Sequence, residues 1–402
     1  MVRPVLVIGG GVTGQRAALD LAQSGVPVLL LEQASTLGGT VAQLGPMFPL
    51  HNCLLCRGVA QHGPGCTRPT IAAELLDFSR PENLQVWTRS RLITLTGAPG
   101  EFVATIRREP RYVDAERCIN CDRCAQACPQ LLPDPFQAWL SQRHAAHRPA
   151  FRAVPDAYVI DKGDYCLPCR RCEPLCPTQA IDLDEQPRDE AVPVSAVVVA
   201  TGLELFDASL SQEYGYGRYP NVFTGLEMER MTSPAGPGEG RVQRRSDGKA
   251  PARIAWLQCI GSRDDERDYC SAFCCGYATR QAVLARQLLP EAEAHICLMD
   301  DRVFAQSFSA TYEPLRAAYG IRLSRNRPSV LREDPATRDL ILQITDETGH
   351  VADERYDMVV LSIGAEGARG NGDLASALGL TPDAHRFLRT GDLSPVDSGR
   401  EG

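Results

Sequence analysis

Short apolar runs and one helical repeat organise the first quarter of the chain. Residues 5–9 read as a buried strand, followed by a glycine turn. Residues 13–24 then place Ala17, Ala18, Leu21 and Ala22 on one packed helix face, and residues 26–32 form the next strand. That is a βαβ opening. Strand patterns recur at 84–87, 92–96 and 102–107. At Arg111-Tyr112-Val113-Asp114 the periodicity stops, and a segment bearing cysteines and prolines runs to about residue 184. The strand pattern returns at 196–200 and ends on Thr201-Gly202. A small module inserted into a larger α/β domain accounts for this order. A polar loop rich in Gly, Pro and Arg, 232–251, leads to a second lobe. There, strands are expected at 254–258, 294–299, 321–324, 340–345 and 358–362, with a helix at 276–289. There is no low-complexity tract.

Composition narrows the class. With 402 residues, 44% apolar and 23% charged, the chain can bury the cores of two or three domains. A net charge of −8 lacks the basic excess of a nucleic-acid binder. No apolar run approaches the ~20 residues that span a bilayer. The first residues enter a strand directly, so no signal peptide is expected and the cytoplasm is the expected location. Cysteine is the outlier, at sixteen residues. In a reducing compartment these are not a disulfide framework. They fall in groups ending at Cys66, Cys128, Cys176 and Cys275, with Cys259 and Cys297 apart, and such clustering points to metal ligands.

Two of the groups are complete motifs. Cys118-x-x-Cys121-x-x-Cys124-x-x-x-Cys128-Pro129 recurs as Cys166-x-x-Cys169-x-x-Cys172-x-x-x-Cys176-Pro177. Three thiolates at this spacing wrap one face of a [4Fe–4S] cubane, and the fourth ligates the other cluster. Cys118, Cys121, Cys124 and Cys176 are therefore assigned to one cluster, and Cys166, Cys169, Cys172 and Cys128 to a second. The repeated pattern with its proline favours cubanes over zinc or free thiols. The 37 residues between the motifs imply a loop insertion.

Gly9-Gly10-Gly11-Val12-Thr13-Gly14 lies between a strand and a helix. Gly9 permits the turn, Gly11 lets backbone approach a pyrophosphate, and Gly14 allows close helix–strand packing. The helix N-terminus favours the phosphates, and Glu32, closing the second strand, suits ribose hydroxyls. Resemblance to two-dinucleotide flavoproteins favours FAD over NAD. Gly38-Gly39 matches their second glycine pair, Ala200-Thr201-Gly202 their strand-end motif, and Ser362-Ile363-Gly364 their return strand. Those proteins carry an NAD(P)H fingerprint in the second lobe. Here the corresponding strand runs into Gln258-Cys259-Ile260-Gly261-Ser262-Arg263 and on to Tyr269-Cys270-Ser271-Ala272-Phe273-Cys274-Cys275. By spacing alone, Cys259, Cys270, Cys274 and Cys275 suit a third cluster at a helix N-terminus or a buried, redox-active thiol group. Cys53, Cys56 and Cys66 offer three ligands where a cubane wants four; they are read as structural or redox thiols, with no metal assigned. Cys297 reads as core, and His51 and His62 as solvated.

Over essentially its whole length the chain resembles the A-type subunit of heterodisulfide reductase and its bacterial relatives. Besides the Gly9–Gly14 fingerprint, the matching stretches are Met47-Phe48-Pro49 with Cys53 and Cys56, Pro110-Arg111-Tyr112-Val113-Asp114, Tyr214-Gly215-Tyr216-Gly217, Ser246-Asp247-Gly248-Lys249, and the Cys259 to Cys275 segment. The resemblance implies a third [4Fe–4S] cluster on Cys259, Cys270, Cys274 and Cys275. After Ser394-Pro395-Val396-Asp397-Ser398 relatives continue into elements that close over FAD, so the resemblance implies a C-terminally truncated flavin lobe: a fragment, or one holding FAD less completely, with a partner's help. Longer family members also carry an extra N-terminal domain.

The expected fold is α/β: a two-dinucleotide, thioredoxin-reductase-like flavoprotein with an inserted α+β two-cluster ferredoxin domain. Its division is 1–110 as the first part of the FAD lobe, 111–188 as the ferredoxin insertion, 189–231 as the return segment, and 232–252 as a linker. Residues 253–350 form an NAD-domain-like lobe with a cysteine turn, and 351–402 return to the FAD lobe. The expected function is an FAD- and [4Fe–4S]-dependent electron-transfer oxidoreductase subunit, working with B- and C-type subunits and an electron-input hydrogenase or dehydrogenase. By resemblance, it extends to electron bifurcation. Two other readings are weighed: an NAD(P)H-dependent flavo-iron–sulfur oxidoreductase, which needs a nicotinamide site the Cys259 turn speaks against, and a non-catalytic ferredoxin-like relay on a decayed flavoprotein scaffold. No catalytic acid or base is identifiable.

Overall fold

The computed structural model describes residues 2–44, 75, 80–150, 153–302, 308–345, 348–391, 393–394 and 396–402. Cys53, Cys56 and Cys66, with His51, His62 and Met47-Phe48-Pro49, lie outside the described residues.

The opening unit is β1 (Val5–Ile8), α1 (Val12–Gln23) and β2 (Val28–Leu31). The strands pair in parallel with Val5 opposite Val28, and β3 (Leu84–Trp87) extends the sheet beyond β2. These strands are continuous apolar runs because both faces are covered. On one face α1 presents Ala18, Leu19 and Ala22 to Val7, Val28 and Leu30. On the other, Leu6, Leu29 and Leu31 meet Leu92, Phe102, Ala104 and Ile106. The latter residues come from β4 (Ser90–Thr96) and β5 (Phe102–Arg108), an antiparallel pair.

After β5 the chain leaves the lobe. It builds α2 (Arg123–Ala127), β6 (Leu131–Pro133), β7 (Gln142–His144), β8 (Ala146–His147), β9 (Val159–Ile160) and α3 (Cys166–Cys169). A small core of Val113, Tyr158, Ile160, Ala180 and Leu183 packs around Cys124 and Cys166. The chain then re-enters as β10 (Arg188–Val194), antiparallel to β5 with Arg188 opposite Arg108. β11 (Ala196–Val199) follows, parallel to β1 on the side away from β2. The excursion is fastened to the lobe. Arg111 is buried and donates to the carbonyls of Ser35 (2.7 Å) and Tyr158 (2.9 Å). The Gln43 amide donates to those of Pro135 and Phe136, at 3.0 and 3.1 Å.

The rest of the chain runs through β12 (Leu203–Leu205), β13 (Val222–Thr224), α4 (Gly225–Thr232), β14 (Arg253–Ile260), α5 (Cys274–Leu288), β15 (Glu293–Leu298), α6 (Phe308–Ala318) and β16 (Arg322–Arg325). It continues as β17 (Leu331–Glu333), β18 (Leu340–Thr345), β19 (Val351–Tyr356), β20 (Met358–Ile363), β21 (Ala365–Gly367) and α7 (Asn371–Leu378). A five-stranded sheet in the order β13-β20-β14-β15-β16 forms the second lobe, all its pairs parallel. β17, β18 and β19 make an antiparallel sheet, and β12 pairs with β21 where the chain passes between lobes. The loop between α4 and β14 carries no regular element, but it is held. Arg244 bridges Asp339 (3.2 Å) and Asp357 (3.1 Å) and donates to the Thr337 carbonyl at 2.7 Å. No helix among the described residues is long and apolar enough to cross a membrane.

Candidate functional site

The glycine turn, the second glycine pair and the end of β11 face one cavity of about 820 Å³. Gly9, Gly11, Glu32, Gly38, Gly39, Thr201 and Gly202 all line it. That volume suits a large ligand. A methyl on Gly11 would meet no protein atom within 4 Å, so backbone is left bare at the N-terminus of α1. Gly14 lies behind it: a Cβ there would fall 1.8 Å from the Gly9 carbonyl oxygen, the close helix–strand approach expected of that position. The two glycine loops clasp each other. The Gly38 N–H donates to the Gly10 carbonyl (2.9 Å), and a Cβ on Gly39 would come within 3.2 Å of the Gly11 Cα.

Glu32 takes one backbone N–H on each oxygen, from Gly10 and from Ala34, both at 2.7 Å. Burial nevertheless holds its carboxyl above the ordinary range, against the lowering effect of those bonds. Two N–H donors leave lone pairs free on the carboxylate, enough for ribose hydroxyls. The donor set and the bare glycine backbone therefore fit a dinucleotide. Gly364 is placed differently from the sequence expectation. It does not line the cavity but abuts the cysteine turn, where a Cβ would meet Ser271 Oγ at 2.7 Å and the Gly261 carbonyl at 2.8 Å.

The far wall comes from elements that sequence reasoning left unassigned or unconnected. α4 brings Glu229 and α5 brings Arg280 and Gln281 into the cavity lining. Arg280 and Glu229 form a buried ion pair, and Gln281 Nε2 adds a bond to the same carboxylate oxygen at 2.7 Å. α7 contributes Asn371, whose Oδ1 accepts from the Thr201 hydroxyl at 2.8 Å. A signal for α4 was present: Thr224-x-x-Glu227 is a capping box, and the structure forms it, with bonds of 3.3 and 2.7 Å.

The eight ferredoxin-motif cysteines surround two further cavities. One is lined by Cys118, Cys121, Cys124 and Cys176, and the other by Cys128, Cys166, Cys169 and Cys172. The fourth cysteine of each motif thus crosses to the other set. Burial drives several of these thiols upward, Cys124 to about 12 and Cys172 to about 11. Cys176 goes the other way: burial raises it, but the Thr178 hydroxyl and backbone N–H groups, Ala180 N at 3.3 Å among them, carry it below the ordinary value. Buried thiols facing one another resist becoming thiolates unless cationic iron takes the protons' place. Among the described residues, no three or more His, Cys, Asp or Glu groups converge as a lone metal ion requires. Sulfurs set around a cavity are the donor arrangement a cubane fits.

Cys259, Cys270, Cys274 and Cys275 also come together, since each is close enough to perturb others of the group electrostatically. Cys274 and Cys275 open α5. Cys259 lies near the end of β14, where the register against β20 shifts and its own φ is +63°. Such an irregularity re-aims a side chain that regular strand alternation would point elsewhere. Burial raises all three of Cys259, Cys274 and Cys275, the last to about 11. Ala272, Phe273, Gly276 and Tyr277, interleaved with these cysteines, line the large cavity. Cys297 sits in the core of the second lobe, 1% exposed.

The profile of the FAD dependent oxidoreductase family matches residues 4–62, and that of the 4Fe-4S binding domain matches 111–131. The chain is 38% identical over 402 residues to the A-type iron-sulfur subunit of the CoB–CoM heterodisulfide reductase of Methanocaldococcus jannaschii, covering 99% of this chain and 59% of that protein. It is 36% identical over 404 residues to the A-type subunit of the H(2):CoB-CoM heterodisulfide,ferredoxin reductase of Methanothermobacter marburgensis, with the same coverage. The chain thus spans 59% of the length of either relative. Among solved structures, the thioredoxin reductase of Lactococcus lactis aligns over 97% of this chain and 85% of its own, with TM-score 0.44 and 12% identity.

Proposed function

Because the chain is related to the A-type subunit of heterodisulfide reductase over 99% of its length, we propose that it is an oxidoreductase subunit coupling a bound FAD to [4Fe–4S] clusters. We assign two clusters to the crossed ferredoxin-type cysteine sets and a third to Cys259, Cys270, Cys274 and Cys275. The observation that carries this reading is the shared wall: the cavity that opens on the glycine fingerprint is also lined by residues interleaved with the third cysteine group. When bound, FAD supplies interconversion between paired and single electrons, and each cubane carries one electron.

The residues have separable tasks. Gly9, Gly11 and the first turn of α1 receive the pyrophosphate, with Gly14 keeping the helix close. Glu32 accepts ribose hydroxyls, and Gly38, Gly39, Thr201 and Gly202 form the rest of the cradle. The Arg280 guanidinium, fixed by Glu229, holds a positive group on the cavity wall. Cys118, Cys121, Cys124 and Cys176 hold one cluster, and Cys166, Cys169, Cys172 and Cys128 the next. The partners of such a chain are B- and C-type heterodisulfide reductase subunits and an electron-input dehydrogenase or hydrogenase, in the cytoplasm, with bifurcation of the flavin's electron pair as the coupled process.

Anaerobic purification with iron, sulfide and flavin quantified together tests this. About twelve irons and one flavin per chain are expected, and about eight would leave only the ferredoxin-type pair. A protein that takes up full iron but cannot bind FAD would sink the flavin half of the reading.

A further inference from the structure

The two cysteine motifs share their spacing but not what faces their fourth sulfur. After the second motif, Cys176-Pro177-Thr178-Gln179 folds into a tight turn. The Gln179 N–H closes on the Cys176 carbonyl at 3.1 Å, with proline at the second position, where its fixed φ suits the turn. Gln179 then takes a φ of +51°, and the chain doubles back so that the Ala180 N–H reaches the Cys176 sulfur at 3.3 Å. The Thr178 hydroxyl bonds to the same sulfur at 3.6 Å. The turn is fastened from outside: Arg117 donates to the Thr178 carbonyl at 2.8 Å, and the Asp114 N–H to the Ala180 carbonyl at 2.7 Å. Thr178 and Ala180 line the cavity of Cys118, Cys121, Cys124 and Cys176. After the first motif the chain runs into β6 instead. There the Cys128 thiol meets the Gln130 carbonyl at 3.7 Å, and the Ala145 N–H fixes that carbonyl at 3.0 Å. A sulfur bound to iron has no proton and can only accept. Cys176 then accepts from a hydroxyl and an N–H, whereas Cys128 faces an oxygen with nothing to donate.

We propose that Thr178 is a positioning residue whose hydroxyl, with the Ala180 N–H, sets the cluster on Cys118, Cys121, Cys124 and Cys176 at a higher reduction potential than the cluster on Cys166, Cys169, Cys172 and Cys128. This rests on the assignment of the two ferredoxin-type clusters made above. Reduction adds one electron to a cubane, with no bond made or broken, and part of the new negative charge falls on the ligand sulfurs. Donors aimed at one of those sulfurs stabilise the reduced form more than the oxidised form, and a carbonyl oxygen does the reverse. Water acts in the same sense as the donors. Of the eight ferredoxin-type cysteines Cys121 is the exposed one, and solvent access favours the more negative state of its cluster. An electron shared between the two cubanes therefore rests mainly on the one that Cys176 completes.

The test is a dithionite redox titration of the full chain with mediators, followed by low-temperature electron paramagnetic resonance, for the parent, Thr178→Val and Thr178→Ser. The valine keeps the shape of the side chain without its donor, and the serine keeps the donor. The expected result is that Thr178→Val lowers the midpoint of the higher-potential ferredoxin-type cluster alone, at the parent's iron content, while Thr178→Ser leaves it in place. No shift at full iron content, an equal shift in both variants, or a shift of the lower-potential cluster would overturn the proposal while leaving the cluster assignment standing. If Thr178→Val loses iron, Thr178→Ala decides: a lowered midpoint supports the role of the hydroxyl and an unchanged one refutes it. Iron lost from both hydroxyl-free variants but kept in Thr178→Ser would place the hydroxyl in cluster retention and refute its role in setting the potential. A parent without the ferredoxin-type signals and short of about eight irons would remove the assignment itself.

Discussion

Gly11 and Gly14 stand three positions apart and answer to different constraints. At Gly14 a methyl would collide with the Gly9 carbonyl, whereas at Gly11 it would meet no protein atom, and φ there is an ordinary −73°. Gly14→Ala should therefore cost about 1–3 kcal/mol of stability by overpacking. Gly11→Ala should leave the melting temperature of the flavin-free protein within a degree or two while weakening FAD retention at least tenfold. Thermal melts of both variants, with bound flavin measured after gel filtration, separate the two roles; equal flavin loss at equal stability would contradict them. Both glycines were legible in the sequence because turn, helix and carboxylate stood in register around them. Gly364 was not. Its motif was read as part of the cofactor cradle, but the absence of a side chain there serves Ser271 and the cysteine turn, a contact between residues 93 positions apart that no local pattern reveals.

Whether an element was legible followed from its burial. β1, β2, β14 and β20 are near-continuous apolar runs because both faces of their sheets are covered, by helices on one side and antiparallel strands on the other, and such runs announce themselves. β10 did not, since Arg188-Asp189-Glu190-Ala191-Val192-Pro193-Val194 is a mostly exposed edge strand with a proline that only an edge tolerates. β19 was equally opaque, being polar at most positions, yet its Glu354 ties three elements together. It makes two 2.7 Å bonds with Arg322 of β16, contacts Arg253 of β14 at 3.4 Å, and accepts from the Tyr356 hydroxyl at 2.8 Å. The Arg322 bonds, opposed by burial and aided by Tyr356, bring this carboxyl down to about 2. A depressed carboxyl stabilises the fold fully above its unfolded value near 4.5, and that stability is lost as pH falls towards about 2. Glu354→Gln should then be less stable than the parent by roughly 1–3 kcal/mol at pH 7. The gap should persist down to about pH 4.5 and close below it. Glu32, held above its ordinary value, works in the opposite sense, favouring the fold as pH falls through the range just above 4.5; it is present in both proteins and cancels. Urea midpoints of parent and variant across that range give the difference directly, and a gap that stayed constant in acid would rule out the mechanism.

At the scale of the whole molecule, the decisive geometry is the return of the chain after its cysteine-rich excursion. Arg108 at the end of β5 and Arg188 at the start of β10 are direct cross-strand partners, so the lobe closes its sheet as if the intervening residues were a long hairpin loop. The excursion has its own small core. Its ties to the lobes include polar bonds of Arg111 and Gln43, the Val154 N–H to the Thr36 hydroxyl (2.9 Å) and Arg230 Nε to Gln137 Oε1 (3.0 Å), together with the apolar residues Val154 and Leu140, which pack into the lobe cores. If 111–188 is a separable module, as its residue pattern and this register together propose, then replacing residues 111–185 with a short glycine-bearing turn should leave a folded chain. β5 and β10 would remain paired, since a tight hairpin supplies the connection that antiparallel strands need. That chain should be less stable than the parent, because Val154 and Leu140 no longer cover their neighbours, but it should keep FAD. Its iron should fall by about eight, leaving about four on Cys259, Cys270, Cys274 and Cys275. The three outcomes are distinct in one preparation. Retained flavin with about four irons supports both the modular insertion and an independent third cluster. Retained flavin with no iron confines the clusters to the insertion. Loss of flavin with the protein still folded would mean that the insertion helps to shape the dinucleotide cavity, a role for which Arg111 and its bond to Ser35, two residues before Leu37 in the loop that carries the second glycine pair, would be the first residue to examine.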